Sequence, residues 1–270
     1  MGRIGAKMTT EISEISEVRD WQGLEVSCGD CAHRDFLAAG KCRPMHACVR
    51  DCCAMRIDRF FTWNPNLGNE YSSHPYFEVR AIAANYVDVF HLPDLLNDPD
   101  ESVRCSAALR LPSRFLLNLR TDPEREVRIC VASRLQGDDL EPMMDDPDYY
   151  VRVVVARRVE TWLLRFMTRD PEPEVRQVVA NRIGADWLMA MAADKDASVR
   201  LTVAQRLTRR QLLPLRFDED WRVRYEVASR IDPCHLREMQ QDADPIVREL
   251  VDQRLAEGPQ LLPSAADGGL

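Results

Sequence analysis

The chain has 270 residues, 45% of them hydrophobic and 30% charged, with a formal net charge of -8 at neutral pH. This composition fits a folded chain with a real core, and the acidic balance argues against general polyanion binding. Apolar runs are broken by charge within a few residues, which excludes a membrane-spanning helix, and residues 1–20 lack an apolar signal core, so a cytoplasmic protein without a membrane partner is expected.

Residues 1–20 are polar and read as a flexible lead-in. Residues 21–74 read as a cysteine-rich metal module. Six of the nine cysteines fall there, at Cys28, Cys31, Cys42, Cys48, Cys52 and Cys53. In a reducing compartment such a cluster favours a metal site over a disulfide framework. Cys28 and Cys31 form a chelating C-x2-C loop, Cys42 follows a Gly40-Lys41 turn, and Cys48 is expected to open a helix running to Phe61. On that helix Val49, Cys53, Ile57 and Phe60 form one apolar stripe, which assigns Cys53 to the core. The expected ligands are Cys28, Cys31, Cys42 and Cys48, with Cys52, one turn from Cys48, competing for the fourth place. Four thiolates suit either tetrahedral zinc or a [4Fe–4S] cluster, and the missing second C-x2-C hook leans mildly against zinc. His33 and His46 read as exposed polar residues. Lys41, Arg43, Arg50, Arg56 and Arg59 would surround a negatively charged cluster with positive charge, although an ordinary charged helix face reads equally well.

From residue 75 to 255 the chain is periodic. Val-Arg occurs at Val79, Val103, Val127, Val151, Val175, Val199, Val223 and Val247, always 24 residues apart. Asp stands five residues before it in seven of the eight units, from Asp98 to Asp242, and reads as a helix N-cap followed in four units by Pro. Val127, Val131, Ala132 and Leu135 then define one buried helical stripe, and an Ala recurs from Ala84 to Ala228 where helices must approach closely. An apolar pair at i, i+3, such as Leu92 and Leu95, predicts a short second helix of 3₁₀ type in the few residues left. No unit alternates as a strand does. The expected architecture is an all-α solenoid of eight repeats, each one α-helix plus one short 3₁₀ helix, without a sheet. Residues 256–270 read as a disordered tail.

The D-P-x-x-x-V-R-x-x-V-A-x-R-L repeat, recurring in phase behind a cysteine-rich segment, resembles the leucine-rich repeat variant proteins of nitrogen-fixing bacteria over about residues 25–255. The resemblance implies a right-handed superhelix. It also implies that the N-terminal cysteines hold an iron–sulfur cluster, which favours [4Fe–4S] over zinc, and a link with nitrogen fixation.

The Val-Arg column and a second column, Arg110 to Arg254, invite a phosphate-tracking interpretation, but the Asp column recurs at the same period and predicts Asp–Arg ladders. No phosphate loop or hydrolase motif is present, so no enzyme is expected. The function expected is a protein-interaction scaffold stapled by its cluster and responsive to redox state or oxygen. An electron-transfer protein is the alternative, and a nucleic-acid-binding helical repeat comes last.

Overall fold

A computed structural model describes residues 18–257; the lead-in to residue 17 and the tail from residue 258 lie outside the described residues. The described residues are helical, with α and 3₁₀ segments in alternation and no strand beyond two isolated antiparallel bridges, Arg19 with Glu25 and Arg43 with Ala47. They divide into two compact units, residues 18–135 and 136–257.

The first unit begins with α1 (Arg34–Ala38), α2 (Ala54–Trp63) and the single turn α3 (Gly68–Tyr71). The repeat helices α4 (Phe77–Ala83), α5 (Glu101–Arg110) and α6 (Arg125–Arg134) follow. Helix α2 packs on α4, α4 on α5, and α5 on α6. In the second unit the repeat helices are α7 (Tyr149–Ala156), α8 (Pro173–Arg182), α10 (Ala197–Arg206), α11 (Trp221–Arg230) and α13 (Pro245–Ala256). Two one-turn helices, α9 (Ala185–Leu188) and α12 (Pro233–Leu236), open the short segments. Each repeat helix except the last, α13, is followed by a 3₁₀ segment, directly or after a one-turn helix, for example Leu92–Asn97 after α4 and Leu213–Phe217 after α10.

The periodic positions are the core. All eight Val residues of the Val-Arg column and all seven Ala residues of the small-residue column are fully buried, and Leu92, Leu116, Leu140, Leu164 and Leu212 of the 3₁₀ segments join them. Burying each such Leu contributes on the order of 2 kcal/mol. The Ala column lies where consecutive helices meet, so any larger side chain would hold them apart.

The Asp column works differently from the expected N-cap. Helices start two residues later, at N-caps Asp100, Glu124, Asp148, Glu172, Asp196, Asp220 and Asp244. The column Asp accepts the backbone N–H of that N-cap residue, as from Asp100 to Asp98 at 2.9 Å and from Asp196 to Asp194 at 2.9 Å. Its two oxygens also receive the fork of an Arg 18 residues earlier. Arg80 Nε and Nη2 donate to Asp98 at 2.8 and 2.8 Å, and Arg104 holds Asp122 in the same way. The second unit repeats the pair in Arg152–Asp170, Arg176–Asp194, Arg200–Asp218 and Arg224–Asp242. The remaining nitrogen, Nη1, donates to the carbonyl six residues before its own Arg, as from Arg104 to Asp98 at 2.8 Å. Each Arg of these six pairs thus ties the start of its own repeat to the start of the next. The column Asp stands two residues too early to cap the helix, and its carboxylate serves the Arg fork and the N–H of the N-cap residue instead.

The second Arg column forms no such ladder. Its guanidinium groups donate to the exposed carbonyls where the preceding helix ends: Arg110 to Ala84 and Val87, Arg182 to Ala156 and Val159, Arg206 to Ala180 and Ile183. A cation there satisfies orphan carbonyls and complements the helix dipole.

Burial works against the charged form of Asp98, Asp194 and Asp242, but hydrogen bonds from the partner Arg and the following N–H outweigh it, and their carboxyls sit below the usual range. A carboxylate depressed in the native state stabilises the fold fully above its unfolded pKa of about 4 and loses that contribution as pH falls through the lower native value. Acid titration followed by circular dichroism is expected to show constant stability down to about pH 5 and a steep loss below about pH 4; an unfolding midpoint that stays level to strong acid would contradict the ladder. The Arg176–Asp194 pair is nearly closed to solvent, with 3% and 8% of its side chains exposed. Arg176→Ala is expected to cost on the order of 3 kcal/mol in urea unfolding. The solvent-facing Arg222–Asp220 pair is the control, and Arg222→Ala is expected to leave the midpoint unchanged.

Candidate iron–sulfur site

The cysteine segment is built from turns. Residues 19–25 fold back through Gly23, whose positive φ of 80° allows the reversal, and lead into the Cys28–Cys31 turn. Helix α1 follows and ends at Gly40, also left-handed at φ 69°. Between Cys42 and Cys48 the chain reverses again at the Arg43–Ala47 bridge, where Met45 adopts φ 61°. A non-glycine residue in that region carries strain, and here it belongs to the tight return that brings Cys48 back beside Cys42.

These turns bring Cys28, Cys31, Cys42 and Cys48 to the wall of one small cavity of about 20 Å³, partly open to solvent. Val26, His33, Arg34, Leu37, Arg43, Pro44 and Ala47 complete its lining, and the surface they turn to it is apolar. Cys52 and Cys53 do not line it. Cys52 is exposed.

Cys48 does not open a helix, as the spacing predicts. Residues 48–53 form a turn, and α2 begins at Ala54 with Cys53 at its N-cap. The cause is Asp51, whose side chain is fully buried: its Oδ1 accepts the Cys53 N–H at 2.9 Å and its Oδ2 pairs with Arg56 at 3.0 Å. The bonded carboxylate stops the helix from extending toward Cys48. Val49, Ile57 and Phe60 are buried as the stripe requires, while Cys53 is only half-buried.

His33 is not an exposed residue. It is 9% exposed and its Nε2 lies 2.5 Å from the Tyr71 hydroxyl. Its ring packs against Phe36, Phe60 and Tyr71. No spacing rule pointed to it, because its partner lies 38 residues away. His46 is exposed and contacts Arg59 through its ring Nδ1 at 2.8 Å.

The thiols feel one another. Burial pushes the Cys48 thiol up to about 11, with Asp51 and Cys31 adding to the rise. Burial also raises Cys42, reinforced by Cys31 and Cys28. Both shifts oppose ionisation of Cys42 and Cys48, and a bound cation would offset them. One donor already faces sulfur in the pocket: the His33 backbone N–H points to Cys31 Sγ at 3.4 Å. Arg34 and Arg43 are among the lining residues, and the Arg34 guanidinium lies in solvent beside Asp35. Of the other basic residues, Arg56 is paired to Asp51, Arg59 donates to the His46 carbonyl, Arg50 to the Ser27 carbonyl, and Lys41 lies over the Phe36 ring.

The donor set fits an iron–sulfur group. It supplies four cysteines and no carboxylate, in a pocket with apolar walls and cationic neighbours. Among the described residues, no group of three or more Cys, His, Asp or Glu side chains closes into a ready cage for a single metal ion. Four thiolates would serve tetrahedral zinc as well.

Comparison with known proteins bears on this segment and on the repeats. Residues 18–70 match the family model described as "LRV protein FeS4 cluster". A solved structure described as a leucine-rich repeat variant with a novel repetitive protein structural motif aligns at 41% identity and a TM-score of 0.81, covering 85% of this chain and 99% of that one. An uncharacterized 27.7 kDa protein in the nifB 3' region of Rhodobacter capsulatus is 47% identical over 100 residues, which span 37% of this chain and 41% of that relative.

The segment is fastened to the first repeat at Gly68. A Cβ built there would stand 2.6 Å from the Tyr86 backbone carbon and 2.8 Å from the Val87 nitrogen, so α3 lies directly on the turn after α4. This contact holds Tyr71, and through it His33, beside the cavity. Gly68→Ala is expected to lower stability by about 1–3 kcal/mol and to weaken amide protection at residues 31–48. Unchanged melting and exchange would contradict this docking.

Proposed function

Because the chain belongs to the leucine-rich repeat variant family, we propose that it is an iron–sulfur-bearing interaction scaffold whose cluster staples the N-terminal end of the repeats and answers to redox state or oxygen. The observation that supports this reading most is the convergence of Cys28, Cys31, Cys42 and Cys48 on one pocket that leaves Cys52 and Cys53 outside. In this reading those four hold a [4Fe–4S] cluster, which when bound supplies one-electron chemistry and sensitivity to oxygen.

The chain's own residues set the environment. The His33 N–H directed at Cys31 Sγ offsets negative charge on that sulfur, and Arg34 and Arg43 add positive charge to the surroundings of the pocket. Both features raise the potential of a cluster. The His33–Tyr71 contact fixes the inner wall against the aromatic core of Phe60 and Phe61. The role is binding rather than catalysis, and the partner is another protein. The R. capsulatus relative is named for a nifB region, which supports a process connected with nitrogen fixation. No helix among the described residues is long and apolar enough to cross a membrane.

The test is a set of single Cys→Ser variants purified without oxygen. Substitution at Cys28, Cys31, Cys42 or Cys48 is expected to remove most of the bound iron, and Cys52→Ser to retain it. Hydrogen exchange of the cluster-depleted chain is expected to show loss of protection in residues 21–74 with residues 136–257 unaffected. Retention of iron by all four variants would overturn the ligand set. A cluster that cycles reversibly, with no change in exchange, would favour electron transfer over the stapling role.

A further inference from the structure

Outside the cysteine pocket, one sulfur pair stands in bonding contact. Cys105 on α5 and Cys130 on α6 are joined, with Cα atoms 6.0 Å apart and a sequence separation of 25. Both are half-buried, so small thiols and disulfides can reach them. The contact follows from the repeat geometry. One repeat is 24 residues, and the two sulfurs differ in register by one: Cys105 stands two places after its Val-Arg valine, Val103, and Cys130 three places after Val127. The same two seats in the second unit, Gln177 and Thr202, also touch, with a side-chain hydrogen bond of 3.4 Å across a separation of 25. Repeat geometry thus faces these two seats toward each other in both units, and in the first unit both carry a thiol.

We propose that Cys105 and Cys130 form a reversible dithiol–disulfide couple whose substrate is a low-molecular-weight disulfide of the glutathione class, and whose oxidised form locks α5 to α6. One cysteine thiolate attacks a sulfur of the glutathione disulfide, breaking its S–S bond and releasing one glutathione thiolate. The second cysteine then attacks the mixed disulfide, forming the Cys105–Cys130 bond and releasing the second glutathione. Two electrons pass from the cysteine pair to the oxidant, and the two cysteine protons end on the two glutathione thiols. The cross-link spans the same two repeats as the Arg104–Asp122 pair. It stiffens that junction under the oxidising conditions in which an iron–sulfur cluster is itself at risk. The couple does not depend on the cluster, so it can hold or fail separately from the proposed function.

The experiment uses the full chain, purified without oxygen and treated with glutathione disulfide or with dithiothreitol. Free thiols are then alkylated and the tryptic peptides mapped without reduction. Trypsin releases CSAALR, carrying Cys105, and ICVASR, carrying Cys130. The expected result is a linked CSAALR–ICVASR species after oxidation that dithiothreitol removes, with a melting temperature higher in the oxidised protein by roughly 5 °C or more. Cys105→Ser and Cys130→Ser are each expected to abolish both the linked species and the shift. Full alkylation of both cysteines after oxidation, stable glutathione adducts on either one, or a thermal shift that persists in both variants would overturn the proposal.

Discussion

The repeat depends on one guanidinium. In six of the eight Val-Arg pairs the Arg is shown pointing its Nε and Nη2 at a carboxylate 18 residues ahead and its Nη1 at a carbonyl six residues behind, as Arg104 does with Asp122 and Asp98. A planar fork of this kind accepts little variation in distance or angle. One inserted residue between Arg104 and Asp122 would move the carboxylate off the fork and leave a nearly buried charge unpaired. The unbroken 24-residue spacing follows from that constraint as much as from the hydrophobic stripe. Apolar burial supplies most of the favourable free energy of each stack, and the Arg–Asp pair fixes the register in which the stack forms.

Much of this architecture could be read from the sequence because it is periodic. The Val, Ala and Leu columns identify the core without ambiguity, and they are buried where the pattern places them. The 3₁₀ segments followed from the small number of residues left in each unit. What the pattern could not separate was two uses of the same residue type. An Asp before a helix is the ordinary sign of an N-cap, and only the three-dimensional pairing shows that Asp98 belongs to Arg80 while Asp100 caps the helix by accepting from Ser102. Likewise both Arg columns looked alike, yet one meets carboxylates and the other meets helix-end carbonyls.

The grouping of Cys28, Cys31, Cys42 and Cys48 was legible from cysteine spacing, and the shape of the segment much less so. Local sequence favours a helix through Cys48, but the buried Asp51 takes the Cys53 N–H and starts the helix at Ala54. That shift of six residues leaves Cys48 in a turn, free to face Cys28, Cys31 and Cys42. His33 escaped notice because its environment comes from distant parts of the chain: Tyr71 from α3 and Phe60 from α2. Aromatic packing around Phe60, Phe61 and Tyr71 joins this segment to the first repeat helix, with Val79 and Ala83 in the same core. The pocket is thus carried by the repeats, which gives a cluster held there a direct mechanical connection to the surface the repeats present.

The most direct measurement is the iron, acid-labile sulfide and zinc content of the intact chain purified without oxygen, taken together with its visible absorption. The expected result is a brown protein with about four iron and four sulfide per chain and little zinc. A colourless protein with one zinc per chain, or with no metal and four freely reactive thiols in the pocket, would contradict the central claim.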